Sequence, residues 1–239
     1  MPAPATPERK GFAGGGRRRQ YATGPSVRAT LRGCRPAVSD PRLPFELAVI
    51  PLGNRAFEGH NNSYLLGIEP AAETTLLDTA VARPATRDQL AAGLADHGLA
   101  FADVDRILLT HHPPDHCGLA GEIQAASGCS VHVHEADAPL VAQEPAAMDA
   151  QENRLRRCID EWGMPEDPRE ELLGFLEGSA GIEGEPPEVT TFRDGTTFDL
   201  GSVELTAVHM PGHAAGLAGF AAAGRDGEEL FSGDALLPY

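Results

Sequence analysis

Short apolar runs separated by turn-forming residues predict a chain rich in β-strands. Residues 202–209 show the pattern plainly, because apolar positions alternate there with polar ones, as in a strand with one buried face. Gly, Pro and Asp cluster between the runs, which is where turns form. We predict strands over residues 45–52, 62–68, 74–80, 106–110, 129–135, 202–209, 217–223 and 229–234.

Helical patterns lie between several of these strands. Residues 86–99 place Leu90 and Leu94 on one face, with Thr86 and Gln89 at the spacing of a capping box. Residues 119–127 predict a second helix that ends at Gly128. Residues 136–188 change in character, with two helical stretches, 154–164 and 169–178, between Pro and Gly breaks. We interpret 136–188 as a helical insert in a domain that spans 44–239.

Three of the strands are followed by residues that bind metals. The segment "THHPPDHCG" (110–118) follows the strand "RILLT", "PGH" follows the strand that ends near His209, and the strand "ELFSGD" ends in Asp234. Loops at strand ends are where α/β folds usually place chemistry. Imidazole and carboxylate together suit Zn²⁺, and also iron or manganese. The candidate ligands are His111, Asp115, His116, His213 and Asp234.

Charge divides the chain into two parts. Residues 1–43 hold nine Lys/Arg and two Asp/Glu, a net charge of +7, whereas the rest holds 10 and 33, a net charge of −23. We predict that 1–43 is a disordered basic tail, with an RNA-binding arm, a targeting arm or a misassigned start codon as alternatives. The acidic body argues against nucleic acid as a substrate, because phosphates need cations. One lysine among 19 basic residues indicates a GC-rich bacterial genome.

The remaining composition favours a cytoplasmic protein that acts on a small molecule. No apolar stretch approaches the ~20 residues that span a membrane, and the N-terminus lacks the apolar core of a secretion signal. The four cysteines are scattered, without a Cys-x-x-Cys pair, which fits a reducing compartment. The chain also lacks the motifs of serine hydrolases and P-loop NTPases. The sequence says nothing about oligomeric state.

Taken together, these motifs resemble the metallo-β-lactamase fold superfamily. The likeness rests on "NSYLLGI", "TLLDTA", "VDRILLTHHPPDHCGLAG", "AVHMPGHAAGLAGF" and "LFSGDALL", and covers about 45–239. It implies a four-layer αββα sandwich with one or two metals at an edge of the sheets, most often zinc. It also implies His111, His213 and bridging Asp234 around one metal, and Asp115, His116 and Asp234 around the other. Asp115 would orient or deprotonate the attacking water, and Asp78 and His209 would support the site.

Two departures from the family pattern bear on activity. The family motif T-H-x-H-x-D-H places its second ligand histidine at Pro113, which has no metal-binding side chain. His112 is a poor substitute, because neighbours in an extended segment point in opposite directions and the following proline keeps the backbone extended. The family also carries a further ligand histidine beyond "SGD", and the sequence ends before it. We therefore expect a fold that is incomplete at its C-terminal end and weak metal binding, with about one metal.

Other conspicuous residues have simpler interpretations. His132 and His134 share a strand face and are expected to pack or lie at the surface, and Cys117 is expected to be a buried, inert thiol. Trp162 is expected to pack in the core or to line a substrate pocket.

Two hypotheses follow for the function. The first is a metal-dependent hydrolase that acts on an ester, thioester or lactone of a small organic acid. The second is an impaired or inactive relative that serves, at most, as a binding module.

Overall fold

The computed structural model describes residues 45–54, 59–67, 72–178, 182–201, 203–225 and 227–236. It contains two β-sheets, and the first sheet begins with residues 47–66. The predicted tail, 1–43, lies outside the described residues. The six strands of this sheet follow one another in sequence order. They are β1 (Leu47–Asn54), β2 (Gly59–Leu66), β3 (Thr75–Leu77), β4 (Arg106–Leu108), β5 (Ser130–His134) and β6 (Val189–Phe192).

The direction of pairing changes within the first sheet. Strands β1, β2 and β3 are antiparallel, whereas β3 to β6 run parallel to one another. Parallel neighbours need crossover connections, and helices supply them here. A second, antiparallel sheet has the order β10-β9-β8-β7. Its strands are β7 (Thr197–Asp199), β8 (Glu204–His209), β9 (Ala218–Ala223) and β10 (Glu228–Phe231).

Six helices accompany the sheets among the described residues. They are α1 (Pro84–Ala95), α2 (Pro114–Cys117), α3 (Ala120–Ser127), α4 (Ala138–Val141), α5 (Pro145–Glu161) and α6 (Glu166–Gly178), with short 3-10 turns at Phe101–Asp103 and Gly233–Ala235. The two helices predicted within 136–188 are present in α5 and α6, although α5 begins nine residues before the predicted start at 154. Gly128 ends α3 as expected, in a left-handed conformation with φ of 75°.

The predicted capping box of α1 is wrong. The helix begins at Pro84, where proline's fixed φ suits the first turn. Thr86 Oγ1 instead donates to the carbonyl of Val81 at 2.6 Å. Gln89 Oε1 accepts from the backbone N–H of Gly53 at 2.9 Å, which ties the helix to β1. Partners outside the helix therefore use both side chains that the spacing had assigned to the cap.

The first sheet has an apolar core on each of its faces. Helices α1 and α3 cover one face, where Leu90, Leu94 and Ile123 pack against residues of β1 to β5 such as Ile50. The other face packs on the second sheet, with Leu108 in a cluster that includes three aromatic rings in edge contact, Phe192, Phe198 and Phe220. Among the described residues, these are three of the four layers that the resemblance implies: helices, sheet and sheet.

This topology gathers five chain segments at one edge of the sandwich. Because β3, β4 and β5 are parallel, the residues that follow them emerge at the same edge of the first sheet. Strands β8 and β10 both run antiparallel to β9, so they also end on one side of the second sheet. Asp78, the 110–118 segment, Asp137, His213 and Asp234 are thereby brought together. None of the described helices is long and apolar enough to cross a bilayer.

Candidate metal centre

His111 is the most buried of the candidate ligands, and its environment fixes which nitrogen is free. Its ring is fully buried, with Nδ1 2.8 Å from Thr110 Oγ1. The hydroxyl of Thr110 donates to Asp78 Oδ2 at 2.8 Å, so it accepts the proton of His111 Nδ1. Nε2 then carries a lone pair. It is buried and has no hydrogen-bond partner among the described residues.

Asp78 organises both histidines of the 110–118 segment. Its Oδ1 accepts from the backbone N–H of Thr110 at 2.8 Å, and its Oδ2 accepts from His116 Nδ1 at 2.9 Å. The residue adopts a left-handed φ of 56°, a strained conformation for a residue with a side chain. Ser63 Oγ donates to its carbonyl at 2.7 Å, which helps to hold this backbone in place. Asp78 therefore contacts the segments that carry both histidines, and its supporting role stays a prediction.

One oxygen of Asp234 faces two imidazoles. Its Oδ2 is 3.8 Å from His111 Nε2 and 3.6 Å from His213 Nε2. One ligand atom from each of the three residues lies within 4.8 Å of the other two. We call His111, His213 and Asp234 the first donor set. Gly233, with φ of 50°, packs against Thr110 and so brings the Asp234 segment up to the end of β4.

The other oxygen of Asp234 faces a second group. Its Oδ1 is 3.4 Å from His116 Nε2, which is itself 3.6 Å from Asp115 Oδ2. We call Asp115, His116 and Asp234 the second donor set. A single carboxylate therefore points one oxygen at each set.

These spacings fit a divalent metal. Ligands ~2.1 Å from a tetrahedral zinc ion lie about 3.4 Å from one another, and the distances from Asp234 to the two imidazoles of the first donor set are close to that value. The lone pair on His111 Nε2 is a buried acceptor that a metal would satisfy. The donor types, imidazole and carboxylate, are those of zinc sites. The first donor set therefore fits a divalent metal.

Without a metal, the two buried histidines hold protons very differently. Burial, followed by the neighbouring charge of His116, lowers the pKa of His111 to about 3. Burial also acts to lower the pKa of His116, but the carboxylates of Asp78, Asp234 and Asp115 outweigh it and raise this pKa to about 10. His111 is therefore neutral and His116 is protonated at neutral pH. A metal in the second donor set has to displace that proton.

His112 is held away from both donor sets. Asp137 Oδ2 accepts from its backbone N–H and lies 3.0 Å from its Nδ1, while Nε2 is 3.0 Å from the Gln151 amide on α5. Pro113 precedes α2 at its N-cap position, and its carbonyl accepts hydrogen bonds from the backbone of His116 and Cys117. The proline thus contributes a backbone acceptor to the helix and no side-chain donor to a metal.

Asn61 is a site residue that sequence reasoning missed. Its Nδ2 donates to Asp115 Oδ2 at 2.9 Å and lies 3.3 Å from His116 Nε2. It precedes the quoted motif "NSYLLGI" by one residue, and the paired asparagines of "HNNSYLL" in the first half of a strand were the available signal. Asn61 also lines a cleft of about 320 Å³ beside the second donor set. The apolar part of that cleft is formed by Tyr64, Leu77, Leu230, Phe231 and Leu236.

The remaining predicted residues lie outside the donor sets. His209 donates from Nε2 to the carbonyl of Ala215 at 2.9 Å and stacks on His134, with ring centroids 3.9 Å apart, so it braces the loop that carries His213. His132 packs edge-on against Phe198. Burial raises the pKa of the Cys117 thiol well above its usual range. Its Sγ donates to the carbonyl of His112, as suits an unreactive group.

The expected core packing of Trp162 is wrong, and its place in a substrate pocket stays a prediction. Its side chain is 73% exposed, and it is absent from the core and from the described lining of the cleft. It follows the end of α5, where it meets solvent instead of the body of the sandwich.

Similarity to known proteins identifies the family of this chain. The sequence profile described as "Metallo-beta-lactamase superfamily" matches residues 56–239. The chain belongs to the metallo-β-lactamase superfamily. A crystal structure of a metallo-β-lactamase family protein from Thermus thermophilus is 32% identical, with a TM-score of 0.60. The similarity covers 73% of this chain and 55% of the Thermus chain, and confirms the expected fold.

Curated members of the superfamily are also similar. The probable metallo-hydrolase YqjP of Bacillus subtilis (strain 168) is 29% identical over 145 residues, which are 59% of this chain and 43% of YqjP. An uncharacterized protein of Mycobacterium tuberculosis is 27% identical over 179 residues, which are 73% of this chain and 67% of that protein. The chain thus spans about half the length of the Bacillus and Thermus proteins. Members of the superfamily bind divalent metals, usually zinc, and most are metallo-hydrolases.

Proposed function

We propose that this metallo-β-lactamase superfamily member is a zinc-dependent hydrolase of an ester, thioester or lactone bond in a small organic molecule. The observation that carries the proposal is the carboxylate of Asp234. One of its oxygens faces His111 and His213, and the other faces His116. A carboxylate placed between two sets of metal donors, beside a cleft, is an arrangement for hydrolysis more than for structural support.

The first donor set is the stronger candidate for a resident ion. Its three donors are mutually close, and His111 offers a lone pair without the loss of a proton. Three protein donors leave one tetrahedral position open, which distinguishes catalytic zinc from structural zinc. A bound divalent ion supplies Lewis acidity, which polarises a carbonyl oxygen and acidifies water at neutral pH. Because Pro113 contributes no donor, we expect at most about one zinc or iron ion per chain.

Asp115 is the residue assigned to proton transfer. Asn61 donates to its Oδ2, and the side chain is buried next to the cleft. The amide fixes the rotation of the carboxylate, so that it can orient an attacking water and accept its proton.

The cleft favours an uncharged acyl group. Its volume suits a small molecule, and its apolar wall includes Tyr64 and Phe231 in edge contact, with centroids 5.2 Å apart. His60 and Asn62 also line the cleft and add polar side chains to it. Among the described residues that line the cleft there is no Lys or Arg, the usual partners of a phosphate or carboxylate. A neutral ester, thioester or lactone therefore fits better than a polyanion.

Pro113 supports one competing function, a member that binds a ligand in this cleft without turning it over. The position that supplies a histidine in the family motif has no side-chain donor here, and His112 is engaged by Asp137.

Metal analysis and a hydrolysis panel separate the two functions. The purified chain should retain zinc, hydrolyse uncharged aryl esters, acyl thioesters or lactones, and lose this activity to a chelator until zinc is restored. Asp115→Asn keeps the shape of the side chain but removes the base, so we expect hydrolysis to fall about 100-fold or more while zinc stays bound at the first donor set. His213→Ala should lose zinc and activity together. A zinc-loaded protein without hydrolysis of any panel member would overturn the proposal and favour the binding module.

A further inference from the structure

Asp137 joins the two loops that carry the imidazoles of the first donor set. Its Oδ2 accepts from the backbone N–H of His112, next to His111, at 3.0 Å. Its Oδ1 accepts from the backbone N–H of Gly216, three residues after His213, at 2.6 Å. One loop follows β4 of the first sheet, and the other connects β8 to β9 of the second. The carboxylate is therefore a direct link between the sheets at the metal edge.

The burial and hydrogen bonds of Asp137 both favour this link between the two loops. Asp137 is fully buried, and Nδ1 of the His112 ring lies 3.0 Å from its Oδ2. Although Asp137 precedes α4 at the N-cap position, its side chain makes no capping bond to that helix. The carboxylate is used for the two loops instead. Burial acts to raise the pKa of Asp137, but the bonds from His112 and Gly216 prevail and lower it, which keeps an anion with two acceptor oxygens at neutral pH.

Gly216 makes the close approach to Asp137 feasible. A Cβ atom on this residue would lie 2.6 Å from Asp137 Cγ and 2.8 Å from its Cβ. Both are shorter than any real Cβ contact, so a side chain at 216 would push the loop away from the carboxylate. The sequence thus pairs a buried acceptor with the one residue type that lets a backbone N–H reach it.

We propose that Asp137 is a positioning residue that sets the spacing between His111 and His213 and thereby the metal affinity of the first donor set. The inference rests on the proposed metal site. His111 and His213, whose ring centroids are 5.0 Å apart, belong to separate loops, so a metal would otherwise have to order both loops as it binds. Pro113 contributes no donor, which makes prior ordering of the remaining three more important. Asp137 touches neither the donors nor the substrate cleft, so its effect is transmitted through the loops.

Asp137→Asn tests the link with little change of shape. An amide has a single acceptor oxygen, so asparagine can serve the backbone N–H of His112 or that of Gly216, but not both. We expect the dissociation constant for zinc, measured by competition with a chromophoric chelator, to rise about tenfold or more. Cobalt(II) in place of zinc should show altered visible absorption bands, because the angle between the imidazoles changes. Such a shift in ligand field is not produced by a general loss of stability.

Asp105→Asn is the matched control. Asp105 also links two chain segments, through the backbone N–H of Thr74 at 2.9 Å, but it lies far from the metal edge and needs only one acceptor oxygen. The zinc affinity and cobalt spectrum of the Asp105→Asn protein should equal those of the wild type. Gly216→Ala breaks the same link from the other side and should weaken zinc binding even if Asp137→Asn does not fold.

The outcomes distinguish this inference from the function on which it rests. Failure of the wild-type chain to bind zinc or cobalt would overturn the proposed function and this inference together. Zinc binding by the wild type, with unchanged affinity and cobalt spectrum in a folded Asp137→Asn or Gly216→Ala variant, would overturn the positioning role alone. A weakened and spectrally altered site in either variant, with a normal Asp105→Asn control, would support it.

Discussion

Thr110 Oγ1 lies 2.8 Å from His111 Nδ1 and 2.8 Å from Asp78 Oδ2, and so fixes the tautomer that leaves His111 Nε2 free. Valine has nearly the same shape as threonine but no hydroxyl. We expect Thr110→Val to weaken zinc binding about 10- to 100-fold, because the ring loses the partner that orients it and holds its proton. Chelator competition measures the effect. Thr110→Ser, which retains the hydroxyl, is the control, and equal affinities for the two variants would show that the hydroxyl has no such role.

The second prediction concerns the missing donor at Pro113. We expect Pro113→His to increase zinc affinity and any hydrolytic activity, because each added ligand contributes directly to binding free energy. The local backbone, with φ of −55° and ψ of 143°, is open to histidine, and the carbonyl can still accept from His116. Pro113→Ala separates removal of the ring from addition of an imidazole and should not raise affinity. Unchanged binding in Pro113→His would mean that the motif has been aligned wrongly.

The third prediction concerns the stability of the metal-free protein above neutral pH. The pKa of His116 is about 10 in the folded state, against an unfolded value near 6.5. A raised folded pKa means that the stabilising contribution of His116 is fully present below about pH 6.5 and is lost as pH rises through about 10. The pKa of His111 is lowered to about 3 in the folded state, so its effect on stability is opposite to that of His116. Below its unfolded pKa, unfolding takes up a proton at His111, and stability therefore falls as the pH is lowered. Urea titrations in the presence of chelator should show stability falling from pH 7 towards 10.

The control for this pH dependence is His116→Gln. Glutamine keeps a polar side chain but cannot titrate, so the decline between pH 7 and 10 should flatten in the variant. An equally steep decline in both proteins would assign the effect to other groups.

The fourth prediction uses the exposed Trp162, the single tryptophan of the chain. A side chain that is 73% exposed should fluoresce at nearly the same wavelength before and after unfolding. Trp162→Phe should change the free energy of unfolding by less than about 0.5 kcal/mol, since little buried area is altered. A blue-shifted emission that moves to the red on unfolding would contradict the exposed position.

Eight strands and the order of the ligand segments could be predicted from the sequence, because both depend on local pattern. Strands β6 and β7 were not predicted. The run "RILLT" is apolar enough to identify β4, and the residues after it had to lie at a strand end. The roles of Asn61 and Asp137 could not be predicted, since each depends on contact with a residue more than 50 positions away. The failure at Thr86 and Gln89 has a different reason, because these residues have the local spacing of a cap but bond to partners outside the helix.

Each strand that carries a donor delivers it at the same edge, but the donors come from both sheets: His111 from the first, and His213 and Asp234 from the second. A metal held by these residues would connect the two sheets of the sandwich as well as serve as a cofactor. Ligand binding to the folded state alone raises stability with the concentration of free ligand. The lifetime of this protein in a cell would then follow the supply of zinc, because the metal-free sandwich would open more often to proteases. Shortage of the metal would then lower the amount of the protein as well as any chemistry that depends on the metal.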